Sequence, residues 1–596
     1  MNTSFIKKQV AGLFESVDES FFNEFLLNAE IVEHNIGSYI FHQDSTEKVL
    51  YIILTGRVRI IKKDNKGFSI LGDVASGQPL GEFSFFSDEP RTASAVAMRK
   101  TSLLKLKESD YITLIQSYPN IGQKFSAFVY NRLKSNFAGL NKINAPKNIS
   151  VIILNHFENY DKLIDQILIE LNFSGIATNV YYHDSFANKE NSNVLNKIDE
   201  HEGINFLVCD ETDMEWSSHC LMYSDSIIIA SDFNSSKELL PIEKSLKIYE
   251  SSILNQKKYL LLVHSNNAKL PVRTFEWLES RNVDLHIHLR QNNGKDLRRF
   301  CRIITHRAVG LTLGGGGTKG FAHLGAVRAL SEAGIEIDFI GGTSAGALYG
   351  MIMGLIDFDF EKALEISMYS DKMKTLSTKL TFPIISLLSS KRITNFLKEI
   401  FGEADLEDIW YNSYCVSTNY TDSILHIHNK GKAWKQISAS IALPGIFPPV
   451  IINNKIHIDG GVMDNLPIDN MTTYPVSQII AIALSPMKTE ELKIDELPTI
   501  WALLWDKMRG KKLYDLPGIP TLLVTTGLIN SRQKQMQTNS GASLYLELDL
   551  EGIKMLDGSK WKEMIEMGYQ QMKVYLVNKN TENPNNVREN LSLSPF

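Results

Sequence analysis

The chain has 596 residues, 43% of them hydrophobic and 22% charged, with a formal net charge of −6. That length is several hydrophobic cores' worth and sets a prior of roughly four domains, while the acidic balance argues against nucleic acid as a general partner. Four cysteines (Cys209, Cys220, Cys301, Cys415) form no CxxC pair, so neither a zinc site nor a disulfide scaffold is expected, and a reducing cytoplasm fits best.

Neither a signal peptide nor a lipid anchor is expected. MNTSFIKKQV lacks the apolar core of a signal peptide, and LSLSPF is no lipidation signal.

Residues 5–30 show helical spacing, with Phe21, Phe22, Phe25, Leu26 and Leu27 crowded together. From Ile31 to about Lys107 short apolar runs such as Val49–Leu54 and Val58–Ile61 alternate with Gly37, Gly56, Gly67, Gly72 and Gly77, the spacing of a β barrel or jelly roll. Leu106–Leu140 is helical in pattern, and Asn141–Asn148 is a polar linker. Inside the β region lie Gly81-Glu82 and, a few residues on, Pro90-Arg91-Thr92-Ala93. A short helical segment headed by backbone N–H groups, with one arginine, can hold a phosphate, and a glutamate can take a sugar hydroxyl. The stretch resembles the phosphate-binding cassette of cyclic-nucleotide-binding domains. The resemblance implies that Glu82 contacts the ribose 2′-hydroxyl, that Arg91 and Thr92 contact the cyclic phosphate after the Gly81 turn, and that cyclic AMP or cyclic GMP is a regulatory ligand. The other reading of Arg91 is a structural ion pair with an acid.

Next, Ile149–Leu154, Gly203–Cys209, Ser226–Ala230 and Lys258–His264 are compact apolar strands. Helical stretches lie between them, at Tyr160–Leu171 and Ser235–Glu250. Such alternation predicts a parallel sheet. His286 and His288 flank Ile287 and share one side of a strand, but no third metal ligand is evident and no metal is expected.

The chain is organised around Leu311–Gly350. The first glycine cluster runs Gly314-Gly315-Gly316-Gly317-Thr318-Lys319-Gly320, and the second is Gly341-Gly342-Thr343-Ser344-Ala345-Gly346. Between them Phe321, Leu324, Val327 and Leu330 recur at helical spacing up to Gly334, and Ile335–Ile340 reads as a strand. A strand, then Gly-x-Ser-x-Gly, then a helix of small residues is a nucleophile turn: Gly342 and Gly346 leave room for the sharp bend, and Ser344 projects at the helix head. Four consecutive glycines let backbone N–H groups approach an anion, either an acyl-transfer oxyanion or a dinucleotide pyrophosphate. The second option has Gly315, Gly317 and Gly320 in G-x-G-x-x-G spacing, with Glu336 and Asp338 as candidate ribose acids, but it does not explain the serine turn. Phe339–Ile356 is uncharged and long enough to tempt a transmembrane assignment, but its five glycines and the serine turn mark it as a buried elbow. Far downstream a short strand, Lys455–Ile458, leads into Asp459-Gly460-Gly461, where an aspartate on a strand end can act as base for a serine.

These three motifs, in this order, resemble the patatin-like phospholipases over about Val309–Leu576, with Ser438–Val450 as further similarity. The resemblance implies a Ser–Asp dyad of Ser344 and Asp459, an oxyanion site near Gly315, Gly316 and Gly317, and supporting motif residues Lys319, Gly320, Gly342, Gly346, Gly460 and Gly461. His457, between Ile456 and Ile458, is expected to face away from Asp459, and His323 to pack in a helix. The order of parts resembles bacterial relatives of neuropathy target esterase.

The expected fold class is therefore multidomain. It comprises an N-terminal β jelly roll of cyclic-nucleotide-binding type with helices (1–145), a central α/β parallel-sheet segment (149–305), a C-terminal α/β patatin-like hydrolase (308–577) and a disordered tail (578–596). The expected activity is that of a serine esterase on phospholipids or lysophospholipids, needing no catalytic cofactor. Its expected location is the cytoplasm, with transient contact at a membrane surface. Tyr369–Phe401, basic and apolar together, is a candidate cap that either rests on anionic headgroups or is an ordinary amphipathic cover. The rival functions are a cyclic-nucleotide-responsive DNA-binding regulator, which would need a helix-turn-helix, and a dinucleotide-binding oxidoreductase.

Overall fold

The structure is a computed structural model. It describes residues 3–14, 18–64, 67–87, 89–137, 145–155, 160–183, 198–250, 256–372, 381–382, 384–484, 496–509, 519–553, 555 and 557–582. The chain separates into two compact units, residues 1–268 with 275–307, and residues 269–274 with 308–596.

The first unit opens with helices Thr3–Phe14 and Glu19–Asn28, then strands β1 (Glu30–His34), β2 (Tyr39–Phe41), β3 (Val49–Thr55), β4 (Arg57–Asp64), β5 (Gly67–Ala75), β6 (Pro79–Leu80), β7 (Ser94–Ala97) and β8 (Thr101–Lys107). They form two antiparallel sheets, β1-β8-β3-β6 and β2-β7-β4-β5. Every residue of β3 is buried, because its alternate side chains serve two cores. Leu50, Ile52 and Leu54 pack with Phe21, Phe22, Phe25 and Phe125 of the flanking helices. Val49, Tyr51 and Ile53 pack with Val58, Val74 and Leu80 between the sheets.

The same unit continues into β9 (Asn148–Ile153), β10 (Thr178–Tyr181), β11 (Ile204–Val208), β12 (Ser226–Asp232), β13 (Lys257–His264) and β14 (Leu285–Arg290). All pair in parallel in the order β10-β11-β9-β12-β13-β14. Their near-continuous apolar runs are what a sheet covered on both faces requires. The helix expected over Ser235–Glu250 is reduced to Pro241–Ser245. Asp232 closes a turn by accepting from Asn234 N–H at 2.6 Å, Pro241 has no N–H to continue an earlier helix, and Lys247 takes a left-handed φ of 51°.

A buried ionic cluster ties the barrel to this sheet. Arg99 donates from Nε to Asp225 Oδ1 and from a terminal nitrogen to Asp199 Oδ2, both at 2.8 Å, and Arg57 lies 3.6 Å from Asp225. Gly56 N–H and Asn148 Nδ2 complete the Asp199 carboxylate, each at 2.9 Å.

The second unit holds β15 (Ala308–Leu313), β16 (Phe339–Thr343), β17 (Asn412–Asn419), β18 (Ile424–His428), β19 (Val450–Ile452), β20 (Lys455–Asp459), β21 (Val476–Leu484) and β22 (Leu544–Leu548). Their order is β19-β20-β17-β16-β15-β21-β22, with β18 also on β17. The centre is parallel, whereas β20 runs antiparallel to β17. Only Phe339 onward of the expected Ile335–Ile340 strand is β. Asp338 turns inward there, donating its N–H to Val309 O at 2.9 Å and accepting Val309 N–H on its carboxylate at 2.8 Å. Helix Phe321–Glu332 lies against helix Trp561–Glu582 at glycine-only separation: a Cβ on Gly325 would sit 1.8 Å from the Ile565 carbonyl oxygen. That last helix carries residues 578–582, so the tail expected from 578 is helical there, and 583–596 lie outside the described residues.

Candidate active site

β16 ends at Thr343, and the chain reverses at Ser344 into the helix Ala345–Leu355. Ser344 has φ 53° and ψ −120°, a strained conformation for a residue with a side chain. The bend needs its flanking glycines. A Cβ on Gly342 would lie 2.6 Å from the Gly346 carbonyl carbon, and one on Gly346 would lie 2.1 Å from Leu313 O. Ser440 Oγ accepts Ser344 N–H at 2.9 Å and donates to Val416 O at 2.7 Å, while Thr343 Oγ1 donates to Asp464 O. The strain is thus held by hydrogen bonds from Ser344 N–H and from the neighbouring Thr343 side chain.

Asp459 reaches Ser344 through the sheet. β17 lies between β16 and β20, and Asp459 stands opposite Ser417 in the β17–β20 register. Ser344 Oγ donates to Asp459 Oδ2 at 2.6 Å, and Gly461 N–H donates to Asp459 Oδ1 at 2.7 Å. Asp459 is 1% exposed. Burial pushes its carboxyl up to about 7, against the opposing pull of the Ser344 and Gly461 hydrogen bonds. A carboxylate poised near neutrality is matched to taking and returning a proton. Gly460 lies so close to β17 that a Cβ would be 2.3 Å from Val416 O.

The glycine loop after β15 meets the dyad from the other side. Gly315 abuts Ser344, its notional Cβ 3.0 Å from Ser344 Cβ, but its N–H is committed to Asn465 O at 3.1 Å. Gly315 is therefore a spacer, not the oxyanion donor expected from sequence. The N–H groups of Gly316 and Gly317, at the head of the Gly317–Gly320 turn, remain as candidate donors. Gly320 lets this turn lie against the nucleophile helix: its Cβ would be 2.6 Å from Ala345 Cβ and from the Tyr349 ring. Lys319 is buried, and burial lowers its ammonium.

No histidine hydrogen-bonds Asp459 among the described contacts. His323 donates from Nε2 to Gly314 O at 2.8 Å, and burial pushes it down to about 4, so it stays neutral and braces the glycine loop. His457 does not face away from Asp459 as expected. Period-2 alternation puts both on the buried face of β20, where His457 Nδ1 meets Ser417 Oγ at 2.8 Å. Asp338, the rival ribose acid, is wholly buried on Val309 N–H. Ser440, Asn465 and His323 are contributors that sequence reading missed as such. Ser440 lies in the Ser438–Val450 stretch already flagged, and Asn465 follows Asp459 by six residues.

Beside the dyad runs an apolar wall. Leu443 and Ile446 pack with Leu387, Leu388, Phe447, Leu528 and Met555. Leu528 would touch a Cβ on Gly461 at 2.8 Å, and Met555 one on Gly317.

In the first unit the cassette is arranged differently from expectation. Gly81 (φ 81°) precedes the short helix Glu82–Phe86, and Glu82 is buried. Arg91 is also buried, and its hydrogen bonds among the described residues go to main-chain oxygens, with Glu47 and Glu82 acting on it only through longer-range attraction. Its terminal nitrogens donate to Gly81 O (2.7 Å), Val49 O (2.6 Å) and Glu47 O (3.1 Å), and the guanidinium covers the Phe41 ring at 4.3 Å. Thr92 is exposed. His286 and His288 do share one strand side, with ring centroids 5.3 Å apart, and His288 Nδ1 meets His264 Nε2 at 2.9 Å. Among the described residues no group of three or more His, Cys, Asp or Glu could hold a metal ion, and no helix is long and apolar enough to cross a membrane.

Comparison with known proteins matches these parts one by one. The family model for patatin-like phospholipase matches residues 311–472, which contain both members of the dyad. The cyclic nucleotide-binding domain model matches 31–118, and the Neuropathy Target Esterase family P-loop like domain model matches 168–310. The second unit is thus a patatin-like phospholipase domain. The whole chain has the domain set of a patatin-like phospholipase of the neuropathy target esterase type, with an N-terminal cyclic nucleotide-binding domain. It is similar to patatin-like phospholipase domain-containing protein 7 of Rattus norvegicus, at 26% identity over 90% of this chain and 45% of that protein. It is similar to lysophospholipase nte1 of Neosartorya fischeri, at 24% identity over 93% of this chain and 42% of that protein. The chain spans less than half the length of these curated relatives. Among solved structures, a cyclic nucleotide-binding domain from Methylobacillus flagellatus is 21% identical, covering 23% of this chain and 80% of that one, with a TM-score of 0.22.

Proposed function

We propose that this chain is a serine esterase that hydrolyses acyl esters of phospholipids or lysophospholipids through an acyl-Ser344 intermediate. The observation that carries this reading is the 2.6 Å hydrogen bond from Ser344 Oγ to the buried Asp459 carboxylate. In the first half-reaction Asp459 takes the Ser344 proton as Oγ attacks the ester carbonyl. Gly316 and Gly317 N–H groups stabilise the tetrahedral oxyanion, and the proton passes to the departing alcohol. In the second, Asp459 activates water, the acyl–Oγ bond breaks, and a fatty acid leaves. Resemblance to a lysophospholipase and the apolar wall beside the dyad support a lipid acyl ester as substrate, met by transient contact at a membrane surface. The test is labelling with a fluorophosphonate probe and a panel of phospholipids and lysophospholipids, for wild type and Ser344→Ala. Wild type is expected to label and to release fatty acid, and Ser344→Ala to do neither while keeping its unfolding temperature. Turnover by Ser344→Ala would sink the assignment.

The domain match also supports a cyclic nucleotide as ligand of the first unit. For Arg91 to hold the cyclic phosphate it must exchange main-chain carbonyl oxygens for phosphate oxygens, which reduces the net gain from that bond. Calorimetric titration with cyclic AMP and cyclic GMP, alongside hydrolysis assays, checks this. Absence of heat with either would leave the cassette architectural.

A further inference from the structure

Between the helices Phe360–Lys372 and Lys391–Phe401, residues 381–382 and 384–390 form a tip that exposes Phe382 (82%), Ile384 (79%) and Ile385 (67%) to solvent, while 373–380 and 383 lie outside the described residues. A cover of amphipathic type would turn such side chains inward, so the exposure favours the reading in which this segment rests on a surface. The base of the tip is anchored. Thr381 N–H closes it on Leu387 O at 3.0 Å, and the N–H groups of Leu387 and Leu388 donate to Gly445 O and Ile446 O, each at 2.9 Å. Leu387, Leu388, Phe447 and Leu528 all pack against Leu443 and Ile446, and Leu528 lies against Gly461, two residues from Asp459. The apolar tip and the dyad are therefore joined by one layer of side chains. The charge around it is predominantly basic: residues 371–392 contain Lys372, Lys374, Lys379, Lys391 and Arg392 against one acid, Asp371, in a chain of net charge −6. Of these, Lys372 and Lys391 are exposed at the helix ends that bracket the tip.

We propose that this tip is the element by which the protein settles onto an anionic phospholipid surface, with Phe382, Ile384 and Ile385 entering the acyl boundary and the flanking cations meeting the headgroups. The proposal rests on the lipid-esterase reading, and it adds where on the chain the substrate's own surface is met. Protein partners would satisfy the apolar residues as well, but a frame of five cations against the single acid Asp371 fits a lipid surface that presents one sign of charge.

The test uses the full chain, with sedimentation on vesicles of phosphatidylcholine containing about a third phosphatidylserine, and on phosphatidylcholine alone. The wild type is expected to bind the anionic vesicles, more weakly as salt rises, and to bind the neutral ones poorly. The triple variant Phe382→Ser, Ile384→Ser, Ile385→Ser is expected to bind about 10-fold or more weakly. It is expected to lose vesicle hydrolysis by a similar factor, and to cleave a water-soluble short-chain ester at the wild-type rate. Wild-type vesicle binding by the triple variant overturns the proposal, as does equal wild-type binding to neutral vesicles. A wild type that dimerises through the tip without lipid overturns it too. Should the variant fail to fold, hydrogen exchange on the wild type decides: amides of Thr381, Phe382, Ile384 and Ile385 must slow when anionic vesicles are added, and unchanged exchange overturns the proposal. Failure of the esterase reading shows separately, as a wild type that binds vesicles but cleaves neither the lipid nor the soluble ester.

Discussion

Two buried carboxylate sites in this molecule are handled in opposite ways. In the first unit Asp225 is 6% exposed, and burial by itself would raise its pKa, yet Arg99, Arg57 and the N–H groups of Lys147 and Asn148 reverse the sign and hold it low. Arg99, itself buried, has two carboxylates and stays charged at any pH the fold survives. In the second unit Asp459 has, among the described residues, no cation but a serine hydroxyl and one backbone N–H, and its pKa goes up. The cost of removing a charge from water is the same in kind at both sites. Where it is offset by opposite charge, the result is a fixed joint between barrel and sheet. Where it is left standing, the result is a group that changes protonation near neutral pH. Pairing marks architecture here, and its absence marks chemistry.

The sharpest way to break that comparison is Asp459→Asn. Ester hydrolysis should fall by about 10³-fold or more, the upper part of the range for a general base. The stability effect should have the opposite sign. The folded pKa of about 7 lies above that of a free aspartate. The native state therefore holds this proton more tightly than the unfolded chain, and stability declines as pH rises from about 4 to 7. Removing the charge should leave the unfolding temperature at about pH 8 equal to wild type or higher. A clear drop in melting temperature would show that the Asp459 charge is stabilising after all. For the wild type, kcat/KM should rise with pH through an apparent pKa near 7 and then level off.

Arg99→Ala makes the converse test. Asp199 would be left buried without its cation and Asp225 with only Arg57 at 3.6 Å, which should cost about 3–5 kcal/mol in the unfolding of the first unit. The rate per folded molecule on a soluble ester should not change. Replacing Arg99, Asp199 and Asp225 together by apolar residues of similar volume should recover most of that loss, and failure to recover it would assign the cluster more than an architectural part.

Gly316→Ala asks whether the donors left over at the glycine loop act on the oxyanion. Its Cβ would strike the Leu484 side chain at 2.4 Å, so the loop must shift. Turnover should drop about 10²-fold with KM little altered, and an unchanged kcat would remove this amide from the reaction. The smallest effect is expected from Arg91→Ala. Three main-chain carbonyls lose their donor, and domain stability should fall by about 1–3 kcal/mol by thermal melting. A variant as stable as wild type would favour a ligand role for Arg91.

Much of this was legible in the chain itself, for a local reason. A reversal as tight as the one at Ser344 tolerates no Cβ at Gly342 or Gly346, so the nucleophile turn is written in residue type. The Asp-Gly-Gly turn and the parallel strands are written the same way. What sequence could not reach were contacts between distant segments. Gly315 and Gly316 are the same letter, and only the arrival of Asn465 takes one N–H and leaves the other. Ser440 becomes a support because the distant helix Ala433–Ser440 brings it to the Ser344 amide, whereas His323 braces the Gly314 carbonyl from the helix that directly follows the glycine loop. Arg91 keeps its motif, yet three carbonyls of neighbouring segments take the guanidinium. Sequence alone determined which residues are capable of the chemistry, because strand, turn and glycine requirements act over a few bonds. Tertiary structure alone decided which hydrogen-bonding groups remain available to do it, because each is claimed by the nearest partner in space, and that partner lies far away along the chain.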